Sequence, residues 1–259
     1  MSNPFVWIFV FCFGLCVGSF LNVCISRLPE GGSIIHPGSR CPKCNTPIRF
    51  YDNIPVLSYI LLGGRCRQCR TGISPRYPVI ELVTGAMACC IFLKYGPSAS
   101  ALIYFIFSAA LIAVTFIDID HQIIPDEISL PGIPAGFATS FVLAGLTYTD
   151  ALLGILTGGG SLFLLAMGYH LATGKEGMGG GDIKLLAMNG AFIGWKGVIF
   201  TIFISSVIGT LVGMAFMAIF RKNLKFAIPF GPFLSLGAIV YLFFGQSIIN
   251  WYFLMSRPY

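Results

Sequence analysis

The amino-acid sequence predicts an all-α polytopic membrane protein with about eight transmembrane helices and one small polar domain between the first and the second. Composition supports this fold class. Hydrophobic residues make up 56% of the 259 residues, charged residues make up only 10%, and the mean hydropathy is +0.84. Charged residues form about a quarter of an ordinary soluble domain, so we expect most of this chain to lie in a lipid bilayer.

The first apolar segment, residues 4–26, contains no charge. It is long enough to cross a bilayer of about 30 Å, and it is too long for the core of a signal peptide. We therefore expect a first span that the mature protein retains. Gly14 and Gly18 lie four residues apart in it, a spacing that is typical of closely packed transmembrane helices.

The remaining chain divides into a polar domain and a membrane domain. Residues 1–26 hold the first helix, residues 27–76 are polar, and residues 77–259 return to apolar character. The predicted later spans are 77–94, 101–117, 128–146, 151–172, 183–195, 197–220 and 228–255. Since 183–195 is short for a crossing, either it begins within the preceding glycines or Asp182 lies at membrane depth. The last span contains Asn250, so it could end early and continue along the interface.

The distribution of charge predicts the orientation. With the N-terminus outside, the loops after spans one, three, five and seven hold thirteen of the 16 basic residues. Lys and Arg concentrate on the cytoplasmic side of membrane proteins, so domain 27–76 is expected in the cytoplasm, and Asp118 and Asp182 at the cytoplasmic face. The net charge of +6 therefore indicates topology, not nucleic-acid binding. Of these thirteen, the five that lie outside domain 27–76 are Lys175, Lys184, Arg221, Lys222 and Lys225.

Two C-x-x-C pairs predict a metal site in domain 27–76. They are Cys41-Pro42-Lys43-Cys44 and Cys66-Arg67-Gln68-Cys69. Two such pairs at this separation can bind one tetrahedral Zn²⁺, and four thiolates leave no open position, so the ion would be structural. A disulfide is disfavoured in the reducing cytoplasm, and two redox pairs are the remaining alternative. A domain of this size with little apolar core needs such a metal to fold.

The glycine-rich stretch from Gly177 to Lys184 places Asp182 beside a membrane segment. An ionisable residue there indicates a functional site, whereas the alternative is that Asp182 only caps the helix beginning at Ile183. Gly179 and Gly181 would allow another segment to approach the carboxylate closely. Lys184 does not share a helix face with Asp182, so we expect it to anchor the helix end and to influence the site electrostatically.

A second carboxylate motif, Asp118 to Asp126, lies where the third span ends. Pro125 disfavours helix at Ile124, so the chain should turn there and re-enter the membrane, with Asp126 and Glu127 as helix caps. Asp118 is closest to the apolar segment. If Asp118 and Asp182 meet in a partly dehydrated site, they cannot both ionise easily and would share a proton, as a hydrolytic carboxylate pair requires. The alternative is a set of unrelated caps.

Three classes of function fit these features. Besides a peptidase, intramembrane carboxylates could mark the ion path of a transporter, although here they cluster at one face and no inverted repeat is visible. The third class is a non-enzymatic scaffold anchored by zinc. Substitution of either aspartate separates the peptidase from both alternatives.

The ordered motifs resemble the bacterial type IV prepilin leader peptidases, which are intramembrane aspartic proteases of the Gly-x-Gly-Asp kind, and the resemblance covers nearly the whole chain. The matching segments are Gly18 to Val23 with Arg27-Leu28-Pro29, the two C-x-x-C pairs, Asn53-Ile54-Pro55 with Ser58-Tyr59, Arg76-Tyr77-Pro78 with Glu81-Leu82, Asp118 to Asp126, and Gly179 to Lys184. A small departure is Arg70, directly after the last cysteine, where many relatives carry another residue.

The resemblance implies a function and a location. The enzyme would lie in the bacterial inner membrane and cut prepilins and pseudopilins after a glycine at the end of a short basic leader, with Asp118 and Asp182 as the catalytic pair. Many relatives also methylate the new N-terminus with S-adenosylmethionine, and the cysteine-containing domain is usually tied to that activity. No Rossmann-type glycine fingerprint is present, so the methyl donor rests on the resemblance alone. Charge further suggests that Glu30, Asp52, Glu81 or Glu176 meets the basic leader.

Overall fold

The computed structural model describes residues 3–175, 179–220 and 229–255, with the backbone alone described at 220, 246 and 252–255. Within these ranges the regular structure is helical, apart from two isolated β-bridges that join Arg40 to Pro47 and Arg65 to Gly72. The helices belong to two compact units, Met1–Ala113 and Val114–Tyr259. The predicted basic residues Arg221, Lys222 and Lys225, and also Glu176, lie outside the described residues.

The first unit contains a pair of membrane helices with the polar domain between them. Helix α1 covers Pro4–Arg27, a short α2 covers Leu57–Leu61, and α3 covers Arg76–Tyr95. Single 3₁₀ turns occupy Leu28–Glu30 and Phe50–Asn53. Helix α4, Ala99–His121, begins in this unit and ends in the second.

Close contact between α1 and α3 confirms the prediction from Gly14 and Gly18. A Cβ atom built on Gly14 would lie 2.7 Å from the Cα of Gly85, and one built on Gly18 would lie 2.6 Å from the Cα of Glu81. Because neither distance leaves room for a methyl group, the two glycines let the helix backbones approach. The side chain of Asn22 supports the same pairing by donating a hydrogen bond to the carbonyl of Tyr77, at 3.1 Å.

The described part of the second unit contains five further helices. They are α5 Asp126–Thr139, α6 Tyr148–Thr173, α7 Gly180–Phe220, α8 Gly231–Val240 and α9 Gln246–Met255, with a π-helical turn at Tyr241–Gly245 between the last two. Helix α7 is interrupted at Gly194, where φ is 70° and ψ is 175°. Residues with a side chain rarely adopt a positive φ, so glycine permits the break. It lies at the end of the predicted span 183–195, shortly before the predicted span 197–220.

Within the described residues, five helical segments are long and apolar enough to cross a membrane, as expected for a membrane protein, and the last of them includes the break in α7. They are Pro4–Glu30, Arg76–Tyr95, Ala99–His121, Tyr148–Thr173 and Gly180–Ile219. The shorter Gly231–Gly245 is also apolar. Helix α7 begins at Gly180, which agrees with the first of the two alternatives for this span, that it begins within the preceding glycines and not at residue 183.

The predicted span 128–146 is shorter in the structure, because α5 ends at Thr139. The hydroxyl of Thr139 donates to the carbonyl of Gly136, and that of Ser140 donates to the carbonyl of Phe137, both at 2.7 Å. Hydroxyl groups that bond to nearby carbonyls compete with the helical pattern. The chain then turns before α6, which Thr147 caps by accepting the N–H of Asp150 at 3.1 Å.

Candidate active site and metal centre

The two predicted aspartates lie together in the second unit. Asp118 is in the last turn of α4 and is only 5% exposed, and Asp182 is in the first turn of α7 and is partly buried. The two carboxyl groups are close enough to interact electrostatically. Helix α7 begins at Gly180, so the boundary predicted at Ile183 was late and Asp182 lies inside the helix.

Asp118 accepts a hydrogen bond that the sequence did not predict. The backbone N–H of Gly231, the first residue of α8, donates to its Oδ2 at 2.9 Å in a buried environment. A Cβ built on Gly231 would lie 2.6 Å from the same oxygen, so only glycine fits there. The sequence did contain one signal for this helix start. Pro229-Phe230-Gly231-Pro232 interrupts the last apolar segment with the residues that usually mark turns.

Helix α8 is held against α7 beside this hydrogen bond. The side-chain amide of Asn189 donates to the carbonyl of Leu234 at 3.5 Å, and the hydroxyl of Ser205 donates to the carbonyl of Phe233 at 2.8 Å. Both acceptors belong to the first turn of α8, where the backbone carbonyls are near Gly231. These contacts fix the donor that binds Asp118.

Lys184 contacts a carboxylate other than Asp182. Its Nζ lies 2.7 Å and 2.9 Å from the two carboxylate oxygens of Asp126, in the first turn of α5. The pair is partly exposed, with side-chain exposures of 36% and 53%. Lys184 thus joins the start of α7 to the start of α5. It was expected to anchor the helix end, and Asp126 is the residue to which it is anchored.

The turn between α4 and α5 fits closely against α7 and α8. Ile124 is not helical, as the effect of Pro125 predicted, and Gln122 has a φ of 54°. The N-cap of α5 is Pro125, whereas the predicted caps Asp126 and Glu127 lie within its first turn. A Cβ built on Gly181 would lie 2.9 Å from the Cβ of Ile124. No described atom lies within 4 Å of a Cβ built on Gly179, so of the two predicted supporting glycines only Gly181 makes a close approach.

In the first unit, the four cysteines of the two C-x-x-C pairs form one cluster. All four Sγ atoms lie within 4.8 Å of one another, and those of Cys41 and Cys69 are 3.8 Å apart. None of these cysteines is in a disulfide. The cluster could hold a metal ion.

The two pairs have the same local backbone. In each, the N–H of the first cysteine donates to the carbonyl of the threonine five positions later, at 3.0 Å in the first pair and 2.8 Å in the second. The residue after the second cysteine is left-handed in both, with φ of 54° at Asn45 and 58° at Arg70. The corresponding threonines are Thr46 and Thr71. Arg70, the departure noted in the sequence, therefore occupies a conformation that suits Asn better.

Hydrogen bonds lower the pKa of two of these cysteines, Cys44 and Cys66, and so favour their thiolate forms. The Sγ of Cys44 lies 3.3 Å from the Oγ1 of Thr46. Hydrogen bonds from the side chain and the backbone of Thr46 lower the pKa of Cys44 to about 6. Because metals bind the thiolate form, Cys44 is prepared to bind a metal near neutral pH.

Two of the acidic residues considered for leader binding have partners within the first unit. The buried Glu81 accepts the backbone N–H of Val56 at 2.7 Å, and Val56 has a φ of 61°, which is unusual for a β-branched residue. Asp52 accepts two N–H groups of Arg67 at 2.6–3.1 Å, which lowers the pKa of Asp52. These contacts argue for a structural role of Asp52 within domain 27–76 and of Glu81 in binding that domain to α3, and against leader binding.

Comparisons with known proteins connect both sites to one family. The family model described as the bacterial peptidase A24 N-terminal domain matches residues 12–95, and the type IV leader peptidase family matches residues 105–214. A protein named prepilin leader peptidase/N-methyltransferase from Aeromonas salmonicida (strain A449) is 35% identical over 97% of this chain and 96% of its own length. Proteins with the same name from Pseudomonas putida and Burkholderia pseudomallei (strain K96243) are 37% and 38% identical, over 91% and 92% of this chain and 89% and 85% of their own lengths. No solved structure shows significant similarity to this chain.

Proposed function

This chain belongs to the type IV leader peptidase family, and from that membership we propose that it is a membrane aspartic endopeptidase of prepilins and pseudopilins. It removes the short basic leader after a glycine, and it then methylates the new N-terminus with S-adenosylmethionine as the methyl-donating substrate. The relatives are named for both activities, leader peptidase and N-methyltransferase. The observation that supports the peptidase most strongly is the electrostatic interaction between Asp118, at the end of α4, and Asp182, at the start of α7.

The carboxyl pair supplies acid and base for hydrolysis. One carboxylate takes a proton from water while the water oxygen bonds to the scissile carbonyl carbon, and the other carboxyl protonates the carbonyl oxygen. The C–N bond then breaks and a proton passes to the departing amine, which becomes the new N-terminus. The N–H of Gly231 donates to the Oδ2 of Asp118, so this carboxyl group is held in one orientation for the proton transfer.

We propose that the cysteine cluster holds a structural Zn²⁺. Tetrahedral zinc at about 2.3 Å from each sulfur separates two sulfurs by about 3.8 Å. The distance of 3.8 Å between the Sγ atoms of Cys41 and Cys69, and the grouping of all four within 4.8 Å, fit this geometry. Cys41, Cys44, Cys66 and Cys69 occupy all four positions, so the ion takes no part in peptide hydrolysis.

We further propose a topology of about eight spans in the bacterial inner membrane, with the N-terminus outside. The break at Gly194 supports counting α7 as two spans. On this topology the polar domain 27–76 and both aspartates face the cytoplasm, where a substrate leader would lie next to its membrane helix. The lipid bilayer is then a second partner of the protein, beside its pilin substrates.

Mass spectrometry of a co-expressed prepilin tests the proposed function. With the wild-type chain, the pilin should lose the mass of its leader up to the glycine and gain one methyl group. Asp118→Asn and Asp182→Asn should each leave the leader in place while the protein still accumulates in the membrane. Cleavage that survives in both variants would contradict the assignment of the carboxyl pair.

A further inference from the structure

The side chain of Ile124 lies between the starts of α7 and α8, on the same side of Gly231 as the carboxyl group of Asp118. A Cβ built on Gly231 would lie 3.2 Å from the Cδ1 of Ile124 and 2.6 Å from the Oδ2 of Asp118. A Cβ built on Gly181 would lie 2.9 Å from the Cβ of Ile124. Thus Ile124 contacts both glycines, and no methyl group could be added to either without displacing it or Asp118.

The turn that carries Ile124 is anchored on both sides. Before it, the N–H of Gln122 donates to the carbonyl of Asp118 at 2.9 Å. After it, the carbonyl of Pro125 accepts both the backbone N–H and the hydroxyl of Ser129, at 3.1 Å each. The ion pair of Asp126 with Lys184 adds a third anchor. A side chain held in this way forms a fixed wall, because moving it would break contacts at both ends of the turn.

A substrate must place its scissile carbonyl between Asp118 and Asp182. Ile124 lies near both carboxyl groups, because it contacts Gly231, whose N–H binds Asp118, and Gly181, the residue before Asp182. A substrate residue with a side chain at this point would meet Ile124, whereas glycine presents only backbone. Ile124 therefore selects substrate residues by the size of their side chain and not by charge.

We propose that Ile124 is a specificity-determining residue that limits the substrate position before the scissile bond to glycine. This inference rests on the proposed function, because it concerns the same peptidase site. Ile124 takes no part in proton transfer, and its role is to exclude larger side chains from the position next to Asp118.

The test compares two substrates that differ by one methyl group. Purified full-length enzyme in nanodiscs is given a prepilin with glycine before the cleaved bond and the same prepilin with that Gly→Ala change. Steric discrimination against one carbon is worth about 10- to 200-fold in kcat/KM. We expect Ile124→Ala to reduce the wild-type preference for the glycine substrate by about 10-fold or more. Ile123→Ala, which changes the neighbouring exposed side chain in the same turn, should leave the preference unchanged.

The outcomes separate the inference from the proposed function. An unchanged preference in Ile124→Ala, a wild type that cuts both substrates equally, or an equal change in Ile123→Ala overturns the role of Ile124 but not the peptidase. If Ile124→Ala loses all cleavage, Ile124→Val decides, since it removes one methyl group and must shift the preference in the same direction. Failure of the wild type to cut the glycine substrate would instead overturn the proposed function.

Discussion

The backbone N–H of Gly231 donates a 2.9 Å hydrogen bond to the Oδ2 of Asp118, so the first residue of α8 orients a carboxyl group at the end of α4. A backbone donor has no rotamer to choose, and it stays in place as long as α8 does. Asn189 and Ser205 on α7 hold that helix. The orientation of Asp118 therefore depends on α8 as well as on its own helix.

Gly231→Ala should reduce leader cleavage by about 100-fold or more, the range seen when one preorganised donor at a reacting group is lost. The added Cβ would lie 2.6 Å from the Oδ2 of Asp118, so either α8 or the carboxyl group must shift. The measurement is the initial rate of cleavage of a prepilin by purified enzyme. Gly209→Ala is the matched control, because its Cβ would meet Phe233 at an ordinary 3.5 Å. Equal rates for the two variants would show that the carboxyl group tolerates the shift.

Loss of the ion pair between Lys184 and Asp126 should impair cleavage more than stability. Partly exposed pairs contribute about 0–1 kcal/mol to folding, yet this one joins the starts of α5 and α7 on either side of the site. We expect Lys184→Met and Asp126→Asn each to lower cleavage several-fold and to shift the thermal midpoint by only a few degrees. The double variant should be no slower than the slower single variant, because both remove one interaction. Lys175→Met provides the control, and additive losses in the double variant would argue for two separate roles.

Zinc content should depend on all four cysteines of the cluster and not on the aspartates. We expect one zinc per chain by elemental analysis, and its loss together with faster proteolysis of domain 27–76 in Cys41→Ser and Cys69→Ser. Leader cleavage should persist in these variants, because Asp118 and Asp182 belong to the other unit. Cys12→Ser, within α1, should keep its zinc. Full zinc occupancy after replacement of all four cysteines would refute the site.

Thr46→Val should make zinc leave at a higher pH. The Thr46 hydroxyl is the largest of several hydrogen-bonding causes, the Thr46 backbone among them, that lower the pKa of Cys44 from an ordinary value of 9.0 to about 6. Zinc competes with protons for the thiolate, so a lower pKa preserves binding to lower pH, and removal of the donor raises the pKa and shifts release upward. A pH titration with a colorimetric zinc indicator measures the midpoint. The same midpoint in Thr46→Val and wild type would mean that the hydroxyl does not act on the bound state.

Arg70→Asn should stabilise the cysteine cluster. Arg70 has a φ of 58°, and its counterpart in the first pair is Asn45, with a φ of 54°. A left-handed conformation costs an ordinary L-residue about 1–2 kcal/mol, and Asn tolerates it better. The temperature at which zinc is released should therefore rise. Lys43→Asn removes the same charge at a position of ordinary backbone, and an equal rise there would assign the effect to charge.

The sequence predicted what depends on local pattern and on motifs. Apolar runs located the long helices, Pro125 located the turn before α5, and cysteine spacing located the cluster that the structure brings together. The number of spans and the catalytic roles stay predictions. What the sequence did not reveal depends on contacts between distant segments: Gly231 against Asp118, Lys184 against Asp126, and Ile124 against Gly181. Periodicity carries no information about such pairs, because each residue alone satisfies an ordinary local role.

The repeated backbone of the two cysteine pairs also has a consequence for the order of assembly. Each pair closes its own short turn through local hydrogen bonds, so two half-sites can exist before they meet. Joining them closes the intervening loop, whose entropic cost grows only slowly with length. That loop includes Val56, whose N–H is bound by the buried Glu81 of α3. Binding of the ion and the contact of the loop with α3 thus restrict the same chain segment. Each reduces the loop-closure entropy that the other still has to overcome.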